Sequence, residues 1–160
     1  MIKKEINILI IGIGNIGFRH FEATNKIPLN KNIHILDKYK VIKNLKKKIK
    51  SNTYNKIFFH QSMETLPKKI DLVTISTTSK IRSKIIKKLL TKSKIKFMIL
   101  EKFLFQKISD YRNNLKRLKK HKIYSWVNCQ RRAFPFYQNL KKKIRKGSIE
   151  MIVKGNRWNL

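Results

Sequence analysis

The residues with the clearest chemical purpose are three glycines, Gly12, Gly14 and Gly17, in the run INILIIGIGNIG at residues 6–17. A mostly apolar stretch from Ile6 to Ile11 precedes them, and a helix-like pattern from Phe18 to Ile27 follows. Strand, glycine turn and helix in that order turn a weak Gly-x-Gly-x-x-Gly pattern into a dinucleotide-binding fingerprint. Gly12 permits the tight turn out of the strand. Gly14 lets a pyrophosphate approach the backbone with no Cβ in the way, and Gly17 lets the helix pack closely on the sheet. The amides near Asn15 and Ile16 are expected to face the phosphates at the positive end of the helix dipole.

The second half of the fingerprint is Asp37, which ends the next apolar run and lies 20 residues past Gly17. An acid there can accept hydrogen bonds from both hydroxyls of an adenosine ribose, and it repels a 2′-phosphate. The cofactor expected is therefore NAD, with NADP disfavoured. Only eight residues of the chain are Asp or Glu, so an acid falls on this position by chance infrequently. The alternative reading makes Asp37 a cap for the helix that starts at Lys38.

The elements that must position these residues alternate between strand and helix. A basic helix is expected from Tyr39 to Lys50, a short strand at Ile57–Phe59 and one helical turn within Ser62–Leu66. Asp71–Ser76 is a β-branched run that reads as the fourth strand, and Thr77, Thr78 and Ser79 supply an N-cap. Ile81, Ile85, Ile86, Leu89 and Leu90 form the expected apolar stripe of the next helix, before a buried strand at Phe97–Leu100. Ile108, Tyr111, Leu115 and Leu118 mark a further amphipathic helix, with Asp110 near its start, Lys119 and Lys120 at its end and His121 as its cap. Ile123–Val127 is a sixth strand. The fold class expected is α/β, a doubly wound parallel sheet of the Rossmann type. Beyond it, Phe134-Pro135-Phe136 opens a helix through about Lys146, and Ile149–Val153 reads as another strand.

Composition excludes several classes. At 160 residues and 41% hydrophobic, the chain can bury an independent core. No stretch approaches the roughly 20 apolar residues of a membrane span. One cysteine, Cys129, excludes an internal disulfide and fits a reducing, cytoplasmic setting. No metal site is expected, because His20, His34, His60 and His121 are scattered without ligand spacing. The net charge of +32 raises the prospect of nucleic-acid binding. However, 32 of the 40 basic residues are Lys, whereas groove and base recognition lean on Arg. The lysines also fall on expected polar helix faces, such as Lys43, Lys46, Lys47 and Lys50. Nucleic acid is therefore expected only as a non-specific electrostatic partner.

Taken together, these pieces resemble the Gfo/Idh/MocA oxidoreductases, NAD(P)-dependent enzymes acting mostly on sugars and cyclitols. The resemblance rests on IIGIGNIGFRHFEA with His20 on the first helix, on Asp37, and on Asp71–Ser76 before a Thr-Thr-Ser turn. Leu100-Glu101-Lys102 is similar to the family's Glu-Lys-Pro signature, and Val127–Tyr137 to the stretch that follows its Rossmann domain. The resemblance implies that Lys102 is the catalytic residue, hydrogen-bonding substrate hydroxyls and assisting the proton transfer that accompanies hydride transfer. It places Glu101 against the ribose or nicotinamide side of the cofactor; an ion pair at the strand end is the alternative. Thr77 and Thr78, at the carboxyl edge of the fourth strand, either touch the cofactor or cap the helix. Two departures stand out: Phe103 occupies the place of the signature proline, and Arg82 the place where many members carry His.

The division expected is a dinucleotide-binding Rossmann domain over 1–128, followed by a connecting helix and the start of an incomplete α+β substrate domain over 129–160. The function expected is the NAD(P)-binding domain of an oxidoreductase acting on a sugar or cyclitol hydroxyl. A homo-oligomer is possible for a longer chain, and this segment alone is expected to lack part of the catalytic site. The rival readings are a basic nucleic-acid-binding module on a Rossmann scaffold and an inactive truncated remnant.

Overall fold

The structure is a computed structural model, and it describes residues 5–49, 55–144 and Ile152. Six strands form one sheet: β1 (Ile6–Ile11), β2 (Lys31–Leu36), β3 (Asn55–His60), β4 (Lys69–Ile75), β5 (Lys94–Glu101) and β6 (Tyr124–Asn128). The helices are α1 (Asn15–Lys26), α2 (Tyr39–Lys46), α3 (Ser79–Lys92), α4 (Ile108–Lys120) and α5 (Pro135–Lys143). All pairings are parallel, and the spatial order β3-β2-β1-β4-β5-β6 is that of the doubly wound dinucleotide fold. Parallel strands need crossovers, and here helices or a longer connection supply every one. The order reverses between β1 and β4, which opens a crevice at the carboxyl ends of those two strands.

Alternation along the strands builds two cores. Ile10, Ile33 and Ile35 pack with Phe21 of α1 and Leu45 of α2 on one face. Leu9, Ile11, Val73 and Met98 pack with Ile86 and Leu89 of α3 and Leu118 of α4 on the other. Each fully buried Ile or Leu contributes on the order of 1.5–3 kcal/mol of transfer free energy, which is why these strands are apolar on both faces.

Several expected details are corrected. Helix α1 starts at Asn15, three residues before the apolar pattern begins, because Gly14 is its N-cap. Helix α2 ends at Lys46 rather than Lys50; Lys48 and Ile49 turn back to the Leu45 carbonyl oxygen and close the helix without a glycine. The buried stripe of α3 is Arg82, Ser83, Ile86 and Leu89, while Ile81 is exposed. In α4, Ile108 and Leu115 are exposed and Asn114 is buried with Leu118. The two helices meet through polar groups: Ser83 Oγ donates to Asp110 Oδ1 at 2.6 Å, and Asn114 Nδ2 donates to Ser83 Oγ at 2.9 Å.

The chain divides into two compact units, residues 1–128 and 129–160. In the second, a short 3-10 turn at Gln130–Ala133 leads to α5, whose described residues are all exposed. Helix α5 stops at Lys143, short of the expected Lys146. Of the strand expected at Ile149–Val153 only Ile152 is described, and it lies in neither strand nor helix; the rest falls outside the described residues. No helix among the described residues is long and apolar enough to cross a membrane.

Candidate cofactor site

The glycine loop joins β1 to α1, and its three glycines meet different demands. Gly12 has a φ of +85°, which favours a residue without Cβ; a Cβ there would stand 2.9 Å from Thr77 Cγ2 and 3.0 Å from the Thr77 amide nitrogen. A Cβ on Gly17 would lie 1.8 Å from the Gly12 carbonyl oxygen. The close approach that Gly17 permits is therefore to the loop's own backbone, with Ser76 of the β4 end next at 3.4 Å. Gly14 is the opposite case: a Cβ there would meet nothing within 4 Å. Nothing in the protein itself asks for glycine at that position.

Asp37 follows β2, and its carboxylate reaches across to the same loop. Oδ2 accepts from the Ile13 amide at 2.7 Å and Oδ1 from the Lys38 amide at 2.7 Å. No side chain caps α2, so the capping reading of Asp37 is not what the geometry contains. Thr78 is likewise the N-cap residue of α3 by position, but its hydroxyl makes no capping bond.

Ile16, Thr77, Thr78, Glu101 and Lys102 come together around one cleft of about 350 Å3 at the carboxyl edge of β4 and β5, with Ser76, Ser79, Arg82 and Phe103 completing its walls. Gly14 and Asn15 lie on the other flank of the loop, facing a groove of about 600 Å3 between α1 and α2. Lys102 and Phe103 are exposed at the cleft mouth, and the peptide bond between them is cis. Glu101 is buried, and its carboxylate is engaged by residues other than the adjacent Lys102. His20 Nε2 donates to Glu101 Oε1 at 2.7 Å, and Asn128 Nδ2 donates to the same oxygen at 2.5 Å. A buried carboxylate with two donors is stabilised where an unpaired one is not.

Sequence reasoning left His20 and Asn128 without roles. For His20 a signal exists: it lies four residues past Ile16 on α1, so both occupy one helix face beside the crevice. For Asn128 the signal appears only in the register, where Glu101 pairs with Asn128 across β5 and β6. Arg82 carries a spacing signal, since residues 82, 86 and 89 follow the helical stripe that hydropathy alone conceals.

The residues present fit a dinucleotide. Ser76 Oγ and Thr77 Oγ1 are buried and have no hydrogen-bond partner, which is uncommon for interior polar groups and is relieved by a polar ligand at this edge. The first amides of α1 have no intrahelical acceptor, and the space above Gly14 is open. Among the described residues no cluster of His, Cys, Asp and Glu could hold a metal ion.

This fold and this loop define an NAD-binding Rossmann domain. The sequence profile of the Gfo/Idh/MocA oxidoreductase family, described as an oxidoreductase family with an NAD-binding Rossmann fold, matches residues 6–129. The chain belongs to that family. No curated protein matches it in sequence. Among solved structures it is similar to the WlbA dehydrogenase of Chromobacterium violaceum in complex with NADH and UDP-GlcNAcA, at 20% identity and a TM-score of 0.71; the match covers 89% of this chain and 40% of that one. It is also similar to scyllo-inositol dehydrogenase of Lactobacillus casei with bound NAD(H) and scyllo-inositol, at 19% identity and a TM-score of 0.67, over 87% of this chain and 40% of that one. A third is the UDP-N-acetylglucosamine 3-dehydrogenase GnnA of Acidithiobacillus ferrooxidans, at 14% identity and a TM-score of 0.68, over 88% and 42%. These likenesses establish the fold, and the chain spans about two fifths of the length of each.

Proposed function

We propose that this chain is the cofactor-binding part of an oxidoreductase that moves a hydride between NAD and a hydroxyl-bearing carbon of a sugar or cyclitol. The observation that carries the reading is the glycine loop at the carboxyl edge of the sheet, with an open cradle at Gly14 on one flank and, on the other, a cleft that holds the unpartnered hydroxyls of Ser76 and Thr77 and the Glu101-Lys102 pair. On this reading the amides of Asn15, Ile16 and Gly17 hold the pyrophosphate, Asp37 holds the adenosine ribose, and Thr77, Thr78 and Glu101 line the nicotinamide half. The bound nicotinamide supplies the hydride chemistry.

The chain's own groups supply orientation and the proton. Lys102, exposed at the cleft mouth, is placed to hydrogen-bond a substrate hydroxyl and, as the neutral amine, to take its proton as the carbon is oxidised. Glu101 is turned inward to His20 and Asn128, so its charge is engaged away from Lys102. Asp37 gives the preference for NAD over NADP, and the protein works in the cytoplasm. The known relatives with bound sugars or cyclitols support this substrate class.

The test is saturation-transfer NMR with scyllo-inositol as probe, in the presence and absence of NAD. Transfer that appears with NAD and is lost in Lys102→Met, with NADH affinity unchanged, is the result expected. Equal transfer in the two proteins removes Lys102 from the site.

A further inference from the structure

Arg82 is the least expected residue of the interior. It lies on α3, its exposure is 2%, and it makes no hydrogen bond to a carboxylate. Its guanidinium donates instead to main-chain carbonyl oxygens in two separate segments. Nη1 donates to Glu101, to Phe103 at 2.5 Å and to Leu104 at 3.0 Å, and Nη2 donates to Thr77. A buried cation is costly when left unpaired; here Nε has no hydrogen-bond partner, and the two terminal nitrogens carry the engagement, reaching several carbonyls where a Lys ammonium would not.

The carbonyls it engages stand on both sides of Lys102. Glu101 precedes that lysine, Phe103 and Leu104 follow it, and Thr77 belongs to the turn after β4, which lines the same cleft. A proline after Lys102 would fix the backbone by its ring; Phe103 has no such restraint. We propose that Arg82 is a positioning residue that clasps the main chain on either side of Lys102 and ties it to Thr77, setting where the lysine meets the cofactor cleft. This inference rests on the reading of Lys102 and the cleft given above. A residue that only fastened α3 to the sheet would not need to select the carbonyls flanking one exposed lysine.

The experiment uses the whole chain with Arg82→Lys and, as a second variant, Arg82→Gln, which removes the charge as well as the fork. Amide hydrogen exchange read by mass spectrometry reports the clasp without any ligand. The clasp predicts exchange faster by about tenfold or more at residues 102–105 and changed less than about threefold in β4 and β5. Binding of two probes reports its purpose. NADH should weaken by about tenfold, whereas ADP-ribose, which lacks the nicotinamide ring, should stay within about twofold. Unchanged exchange at 102–105, a uniform rise across β4 and β5, an equal loss of both probes, or unfolding of both variants would overturn the proposal. A wild-type chain that binds neither probe would instead count against the cofactor reading, and the exchange measurement would still decide the clasp.

Discussion

The Ile13 amide donates to Asp37 Oδ2 at 2.7 Å, so the residue at the end of β2 and the loop after β1 are locked to each other. The acid proposed to hold the adenosine ribose thus also shapes the glycine loop. Its amide in turn donates to the His60 carbonyl oxygen at 3.2 Å, which fixes it against β3.

Cofactor choice should follow from this carboxylate. A 2′-phosphate beside Asp37 is a like-charge contact worth several kcal/mol before screening by the neighbouring Lys38 and Lys40. The wild-type chain should prefer NAD to NADP by about 100-fold. Asp37→Ser should bring the two affinities within about tenfold, with some loss for NAD because the Ile13 amide loses its charged acceptor. Calorimetric titration of both cofactors against both proteins checks this. Equal affinities in the wild type would remove Asp37 from the ribose site.

The three glycines should separate by mutation. Gly14→Val places its side chain in open space at an ordinary φ of −65°, so folding should be nearly unaffected while dinucleotide binding is lost. Gly17→Ala drives a methyl group against the Gly12 carbonyl, and overpacking of this kind costs about 1–3 kcal/mol or more. For a chain of this size that is a fall in Tm of about 2–4 °C per kcal/mol. Thermal melts and NADH titrations on the two variants distinguish a ligand-facing glycine from a structural one. A large loss of stability in Gly14→Val would contradict the assignment.

The pH dependence of stability should report a histidine pair. One proton bridges His34 Nδ1 and His60 Nε2 at 3.0 Å, and His60 Nδ1 lies 2.8 Å from Thr65 Oγ1. Burial first, and then the neighbouring His60, pull His34 down to about 4; burial also lowers His60. Depressed values mean that the unfolded chain binds more protons over this range. Stability is therefore fully present above pH 6.5 and is lost as pH falls through 6.5 toward 4. Urea unfolding at pH 7 and near pH 4.5 should differ by about 2 kcal/mol from this source. The difference should shrink in His34→Gln, and the same difference in both proteins would place the effect elsewhere.

The parts of the fold that follow from local pattern were legible. The run from Ile6 to Gly17 carries its own strand, turn and helix start, and the alternation of apolar runs with helices dictates a parallel sheet. What was not legible depends on partners distant in sequence. Hydropathy places Ile81 and Leu115 inside and Arg82 and Asn114 outside, yet the reverse holds. Arg82 is buried because four carbonyls receive it, and Asn114 because Ser83 and the Asp110 backbone do. Likewise Glu101-Lys102 reads as an adjacent pair, while register and the α1 face give Glu101 to Asn128 and His20.

The central claim is that this basic chain binds a dinucleotide through its glycine loop. NADH titration by fluorescence, on the wild type and Gly14→Val, at about 50 and about 200 mM salt, tests it most directly. Two phosphates account for less than about a tenfold loss of affinity over that range, whereas six to ten phosphate contacts cost about 10³–10⁵. One saturable site is expected in the wild type, weakened less than about tenfold by salt and absent in Gly14→Val. Wild-type binding that collapses with salt, or that survives unchanged in Gly14→Val, would contradict it.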